Sequence, residues 1–455
     1  LEDVPTKWVL KGYTGSIRIF QDSLQQTLSW PRALKISSNA KNTAERLLHS
    51  ELGQVEAVQL MLVQSAAMQA MVAQNMADTA LATQEGRLIN PTMTWESVTS
   101  GGEKELLQSL SFGLLDLLTY PQRKAVSDQR VVQRRIELAS DVVEKITAVK
   151  VAWVKAVAAQ ESERYAQQVH EAAQIGAELA NRMQAVGNIN RLTQSKHQSF
   201  YLHASNQWLM AKQTAASRRE ALVQALGLDR AQAQRLRLPE RLPDIPSSPL
   251  NESDIASLAQ EQRLDIQLAK AVLQTAAKVQ GLNQITSLTD VELSFKRGSI
   301  NDQTSNSSQS RQGYEVGVRL PIFDTGDLKR EAMNSQTLAA ANRLQATLDI
   351  AQSQWAESFG AYAAAYAISR QYKQDILPLQ QRMADENLLR YNGMLLSVFD
   401  LLADARDQAN TVINAIQAQE QFWLAEANLK STLMGRPSAM VLIPSKMSSN
   451  PAAAH

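Results

Sequence analysis

The chain has 455 residues, 44% of them apolar but only 5% aromatic, and a formal net charge of +1. A near-neutral chain has no basic field for nucleic acid, and with no cysteine it has no thiolate zinc site, disulfide or cysteine nucleophile. Glycine and proline are sparse, at 18 and 13 residues, which favours long uninterrupted helices built on Ala, Leu and Val.

In chain order, residues 1–40, with Pro5 and Pro31, read as irregular. Ala44 to Gly86 is helical in pattern and holds Met61, Met68, Met71 and Met76, either flexible core filler or soft metal ligands. "NPTMTWESV" (90–98) alternates Met93 and Trp95 against Thr92, Thr94 and Glu96. With "GGEKE" and "LLQSLSFGL" (106–114) it predicts a hairpin over 90–114. A helix of about 66 residues follows from Pro121 to Val186, with Val142, Ile146, Val149 and Trp153 at coiled-coil spacing. A tip at "AVGNIN" (185–190) breaks it, and a second helix runs from Arg191 to Leu226, closed by Gly227.

"LPERLPDIPSSPL" (238–250), with prolines at 239, 243, 246 and 249, cannot be helix and reads as an extended linker. The plan then starts again. A helix covers 252–282, and a hairpin covers 291–320, with Val291, Leu293 and Phe295 alternating against Glu292 and Ser294. Its other strand alternates Tyr314, Val316, Val318 and Leu320 against Glu315, Gly317 and Arg319, and the intervening "KRGSINDQTSNSSQSRQG" reads as a polar, loop-like tip. A helix of about 65 residues spans 328–391, a tip spans 390–397, and a last helix runs over 398–434 before Gly435. Gly187 and Gly393 lie 206 positions apart, Gly227 and Gly435 208. The chain therefore divides into two structural repeats, 1–237 and 251–455, joined by the linker at 238–250. The end, "SSNPAAAH", reads as a disordered tail or tag remnant.

A helix of about 65 residues is roughly 100 Å long, more than one soluble domain buries, so it must lie along other helices. Two hairpins make no stable isolated sheet and leave edges bare. Both problems vanish if several chains close one barrel, with the apolar strand faces toward lipid and the polar faces toward water. A half-buried soluble sheet packed on helices is the other reading of the same alternation. No run of about 18 apolar residues marks a transmembrane helix.

At this point "RLPIFDTGDLKREA" (319–332), "GRLINPTMTW" (86–95) and "LLRYNGMLLSVFDLLADARDQANTVINAIQAQEQFWLAEANLKSTLMG" (388–435) resemble the TolC-like outer-membrane efflux family, the outer-membrane factors. The likeness covers nearly the whole chain. It implies a mainly α fold with membrane β: a homotrimer whose long coiled-coil helices form an α-barrel in the periplasm, joined to a 12-strand β-barrel in the bacterial outer membrane with four strands from each chain. It implies a passive exit duct of a tripartite efflux system, docked to a periplasmic adaptor (membrane fusion protein) and an inner-membrane pump, and not an enzyme. The "NPTMTW" and "YNGMLLSVFDLLADAR" segments resemble heavy-metal efflux members.

The family's tip pattern is R-Y-x-x-G-x-x-S. Arg390, Tyr391 and Ser397 keep that spacing, but Gly393 comes one residue early, and the usual second acidic position is Ala403 with Asp404 after it. By this resemblance Arg390 and Tyr391 gate the tip. Gly187, Gly393, Met394, Leu395, Leu396 and Ser397 form the docking surface; the apolar run 394–396 either meets the adaptor or packs back on neighbouring helices. Asp400, Asp404 and Asp407 fall near one helix face, as a charged pore entrance or as a solvated stripe.

His49, His170, His197, His203 and His455 are scattered, and no P-loop, G-x-G-x-x-G, G-x-S-x-G or H-E-x-x-H occurs. No catalytic residue, cofactor or metal is expected, and no nucleic acid. Two rivals remain: a soluble coiled-coil scaffold, which leaves the hairpins without purpose, and a periplasmic adaptor, which states its helical hairpin once rather than twice.

Overall fold

The structure is a computed structural model that describes residues 44–100, 103–251, 263–286, 291–302 and 307–437. The expected irregular start, the C-terminal tail, the first part of the helix at 252–282 and the middle of the polar tip lie outside the described residues. The elements are α1 (Gln54–Gln64), α2 (Ala66–Glu85), β1 (Thr92–Ser100), β2 (Glu103–Gly113), α3 (Leu114–Leu118), α4 (Tyr120–Ala185), α5 (Arg191–Leu226), α6 (Arg230–Arg235), α7 (Leu264–Thr286), β3 (Val291–Asp302), β4 (Ser307–Val318), α8 (Asp327–Gln371), α9 (Leu377–Asn392) and α10 (Val398–Leu433).

The residues fall into two compact units. One comprises Leu1–Met68, Asp141–Gln262 and Ser353–His455; the other comprises Gln69–Ser140 and Arg263–Gln352. The first holds the helix ends at the two tips and an aromatic core. Trp153 is buried on α4 and its indole N–H donates to the Leu52 carbonyl at 2.7 Å. Tyr362, Tyr366, Phe422, Ala425 and Leu429 form a second buried cluster, with Phe359 and Trp423 packed against it. Burying rings of this size stabilises by about 2–3 kcal/mol each.

The Pro-rich segment 238–250 is extended, as its prolines require, and it is pinned as a strap on this unit rather than left as a free spacer. Leu238 and Leu242 are buried. The indole N–H of Trp423 donates to the Pro243 carbonyl at 3.0 Å, the Tyr366 hydroxyl donates to the carbonyls of Pro246 and Ser247 at 3.1 and 3.0 Å, and the Leu250 N–H donates to the Tyr362 hydroxyl. Prolines remove N–H donors, so the strap's carbonyls need side-chain donors to be satisfied.

Charges are also held in this unit. Burial and the neighbouring Lys430 lower the Lys150 ammonium to about 8 against the pull of Glu426. Burial raises the Glu161 carboxyl although the Leu242 N–H donates to it.

Two helices differ from their sequence pattern. The expected helix from Ala44 to Gly86 is interrupted twice, over 49–53 and at Ser65, where α1 and α2 meet at 55°. Ser65 Oγ accepts from the Met68 N–H at 3.4 Å and so starts α2, while Gly227 packs against it so closely that a Cβ there would sit 3.0 Å from the Ser65 Cα. The helix expected over 328–391 contains a π-turn at Tyr372–Ile376 between α8 and α9, closed by the Leu377 N–H on the Tyr372 carbonyl. Pro378 is the cause: it cannot donate to the carbonyl of Gln374 and its ring crowds that carbonyl, so the helix widens by one residue just before it.

The second unit carries the sheet, an antiparallel meander in the order β1-β2-β3-β4. The two hairpins are joined through β2 and β3 in a register that runs from Glu103↔Asp302 to Gly113↔Glu292. The strands of the second hairpin reach Asp302 and restart at Ser307, so most of the polar stretch expected to be loop is paired strand. Beneath the sheet, α7 packs beside α4: Gln133 donates to the Ala271 carbonyl and the Thr275 hydroxyl. The buried guanidinium of Arg263 is satisfied by Asp265 at 2.7 Å and by the Ala351 carbonyl.

Candidate functional site

The candidate residues lie on two surfaces, the sheet and the tips. Register assigns each strand residue to a face. One face groups Met93 with Leu110, Phe295 and Tyr314, then Phe112 with Leu293 and Val316, then Val291 with Val318. Most of these are open, with Tyr314 79% and Phe295 53% exposed. Toward the hairpin ends this face turns polar at Arg297 and Gln312, with Trp95 beside that row. The opposite face is mostly polar: it carries Thr94, Glu96, Ser109, Ser294, Lys296, Gly313 and Glu315, with Lys296 and Glu315 ion-paired, and Val98, Leu107 and Ile300 toward the hairpin ends. Three apolar rows span about 14 Å at two residues per row. Exposed Leu88 and Ile89 before β1, and Leu320, Ile322 and Phe323 after β4, add apolar surface at the helix-proximal end. Among the described residues β1 pairs only with β2 and β4 only with β3, so each outer edge carries unsatisfied backbone groups.

At the tips, Gly187 has φ +81, its N–H donates to the Gln184 carbonyl, and the next N–H, from Asn188, reaches back to the Met183 carbonyl. Asn190 then caps α5 by accepting from the Thr193 N–H at 2.8 Å. The second tip has the same geometry displaced by 207 positions. The Met394 N–H donates to the Tyr391 carbonyl, the Leu395 N–H to the Arg390 carbonyl, and Ser397 caps α10. The structural counterpart of Gly187 is therefore Met394, with φ +57, whereas Gly393 has φ −79. This corrects the pairing of Gly187 with Gly393. It also explains the early glycine: the chain conserves the turn's geometry and seats a methionine where the left-handed residue belongs.

Met394 is 94% and Leu395 81% exposed, while Leu396 is half-buried. Asp400 is engaged in a capping box: its N–H donates to Ser397 Oγ at 3.2 Å, and its carboxylate accepts from the Ser397 hydroxyl at 2.7 Å and the Ser397 N–H at 3.3 Å. Asp404 is half-buried and Asp407 exposed. At 3.6 residues per turn the three carboxylates fall within an arc of roughly 60° on α10. Arg390 pairs with Glu386 one turn back in its own helix at 3.1 Å, and Tyr391 is partly exposed. In the sequence Ser397 is a cap signal and Asp400 an acidic residue favoured in the first turn, and the S-x-x-D spacing is the signal for the full box; nothing in the pattern marks the left-handed Met394. No group of three or more potential metal ligands occurs among the described residues.

Several solved structures share this fold, among them proteins described as outer-membrane channels. A membrane protein from Pseudomonas aeruginosa matches with a TM-score of 0.70 at 16% identity, over 86% of this chain and 92% of that one. CusC, a protein that forms a transmembrane channel, matches with a TM-score of 0.66 at 14% identity, over 86% and 94%. The MtrE outer-membrane channel of Neisseria gonorrhoeae, solved in its open state, matches with a TM-score of 0.65 at 18% identity, over 85% and 90%. No protein-family profile and no curated protein matches the sequence. At these identities the likeness is one of fold, and it upholds the TolC-like resemblance at that level.

Proposed function

We propose that this chain, which has the fold of the TolC-like outer-membrane channels, is a passive exit duct of a tripartite efflux system in the bacterial outer membrane. The carrying observation is a four-stranded meander with one exposed, largely apolar face, one mostly polar face and two open edges. Three such sheets joined edge to edge make a closed 12-strand barrel, which satisfies every backbone group, turns the apolar face to lipid and lines the lumen with Lys296, Glu315 and the small polar residues. The halves 1–237 and 251–455 are then two repeats of one plan, each supplying a hairpin to the barrel and a helix pair to a periplasmic tunnel. A soluble scaffold or an adaptor has no use for such a sheet.

In this reading the tips at 187 and 394 meet a periplasmic adaptor, coupled in turn to an inner-membrane pump. The outward Met394 and Leu395, with Leu396, Gly393 and Ser397 around them, supply the contact. Asp404 and Asp407, with Asp400 as the capped first member, repeat three times around the entrance, where rings of carboxylate favour cations. Arg390 and Tyr391 sit where a change of partner between helices widens or narrows that entrance.

The test of the assembly uses the absence of native cysteine. Ser97→Cys on β1 and Ser310→Cys on β4 lie on the same face, on the two open edges. A bifunctional maleimide should link the double variant into dimers and trimers in detergent and leave each single variant without the trimer band. A double variant that stays monomeric through the reaction would end the barrel proposal.

A further inference from the structure

Beyond the duct itself, α4, α5 and α10 enclose a groove of about 460 Å³ that none of the roles above uses. Its floor is Ala166 and Val169 of α4 with Ala409 and Ile413 of α10, and Phe200 forms one wall. On α5 the residues Lys196, Phe200, His203 and Gln207 follow one face at helical spacing. On α10 the groove residues lie roughly 140° around the helix from the three aspartates, so the acidic arc and the groove are separate surfaces of one helix.

The groove's charge is one-sided. Lys196 and Arg406 line it, and no carboxylate does. Arg406 stacks its guanidinium over the Phe200 ring, 5.8 Å from the centroid. Among the described residues neither cation has a salt-bridge partner, and the side chains of His203, Gln207 and Asn410 make no hydrogen bond within the chain. Two unpaired cations, amide donors, an aromatic wall and an apolar floor are the parts of a site for a small molecule with an anionic head and a flat apolar body. The volume lies within the range of small-molecule sites.

We propose that this groove binds an amphipathic organic anion, an aryl sulfonate or carboxylate, with Lys196 and Arg406 holding the anionic group and Phe200 stacking on the apolar body. The proposal stands on the groove alone and does not depend on the duct reading. The probe is 8-anilinonaphthalene-1-sulfonate, with N-phenyl-1-naphthylamine, the same diaryl amine without the sulfonate, as its neutral counterpart. Both are titrated by fluorescence into the full chain in non-ionic detergent against a detergent blank.

The sulfonate should bind saturably. Lys196→Gln with Arg406→Gln should weaken it by roughly tenfold or more, the scale of losing charge-assisted contacts, and leave the neutral probe unchanged. Phe200→Ala should weaken both probes. The pair Lys196→Arg with Arg406→Lys keeps the charges and should retain binding, which separates loss of charge from loss of fold; unchanged helicity by circular dichroism checks the latter directly. Sulfonate binding that ignores the charge-removing pair, equal binding of the neutral probe, or no saturable binding because a second copy fills the groove would each overturn the assignment.

Discussion

Among the described residues Met394 is the one non-glycine residue with a left-handed backbone. A left-handed backbone costs an L residue with a Cβ about 1–2 kcal/mol relative to glycine, and among the described residues three of the four helix ends with this geometry use glycine: Gly187, Gly227 and Gly435. A strained, almost fully exposed methionine is not held there by packing, and strain of this kind collects at working surfaces. If the side chain serves docking, Met394→Gly should raise the stability of the tip by about 1 kcal/mol, read as slower proteolysis at the turn, while efflux by cells carrying the complete system falls. Leu395→Asp should leave that proteolysis unchanged and abolish efflux, because it buries a charge in the contact. Full efflux in both variants would reduce the apolar run to a surface accident. The carboxylates are tested more cleanly without Asp400, whose side chain is committed to the cap. Asp404→Asn with Asp407→Asn should lower cation selectivity in planar-bilayer recordings, and unchanged selectivity would make them a solvated stripe.

At the scale of elements, local chemistry was legible wherever it acts locally. Pro121 in the first turn of α4, Asn190 and Gly227 at the ends of α5, and Ser397 before α10 are boundary signals in the sequence, and the structure shows each one acting as such. Alternation in "NPTMTWESV" and "VELSF" marked strands because apolar residues there share one face. The outer parts of β3 and β4 show no alternation, because "GSIND" and "SSQSRQ" are polar on both faces apart from Ile300, and pairing with a neighbouring strand, not burial, makes them extended. The π-turn before Pro378 and the pinning of the strap depend on how far a helix can yield and on donors such as Trp423 and Tyr366, remote in sequence from Pro243 and Pro246. The tip was legible as a turn, but not which residue takes the left-handed position: Asn392-Gly393 is a strong turn signal, and the fixed distance to the Ser397 cap overrode it.

For the whole molecule, the question is which face of the sheet meets which medium, and neighbouring residues on β3 decide it. Phe295 and Ser294 differ by one position and therefore stand on opposite faces, Phe295 beside Leu110 and Tyr314, Ser294 beside Ser111 and Glu315. In a soluble molecule with a half-buried sheet, an exposed residue such as Phe295 would accept a lysine at a cost within about 0.5 kcal/mol. In a barrel with this face in lipid, Phe295→Lys sets a charge in hydrocarbon at about 2–4 kcal/mol per chain near the midplane, and three chains bear it together. Ser294→Lys adds a cation to a wet lumen that already holds the Lys296–Glu315 pair, so assembly should survive and the pore should conduct anions more readily. The expected pattern is loss of trimer from outer-membrane fractions with Phe295→Lys, and normal trimer with shifted ion selectivity with Ser294→Lys. Equal tolerance of both changes would return the sheet to water, and the opposite pattern would turn the barrel inside out.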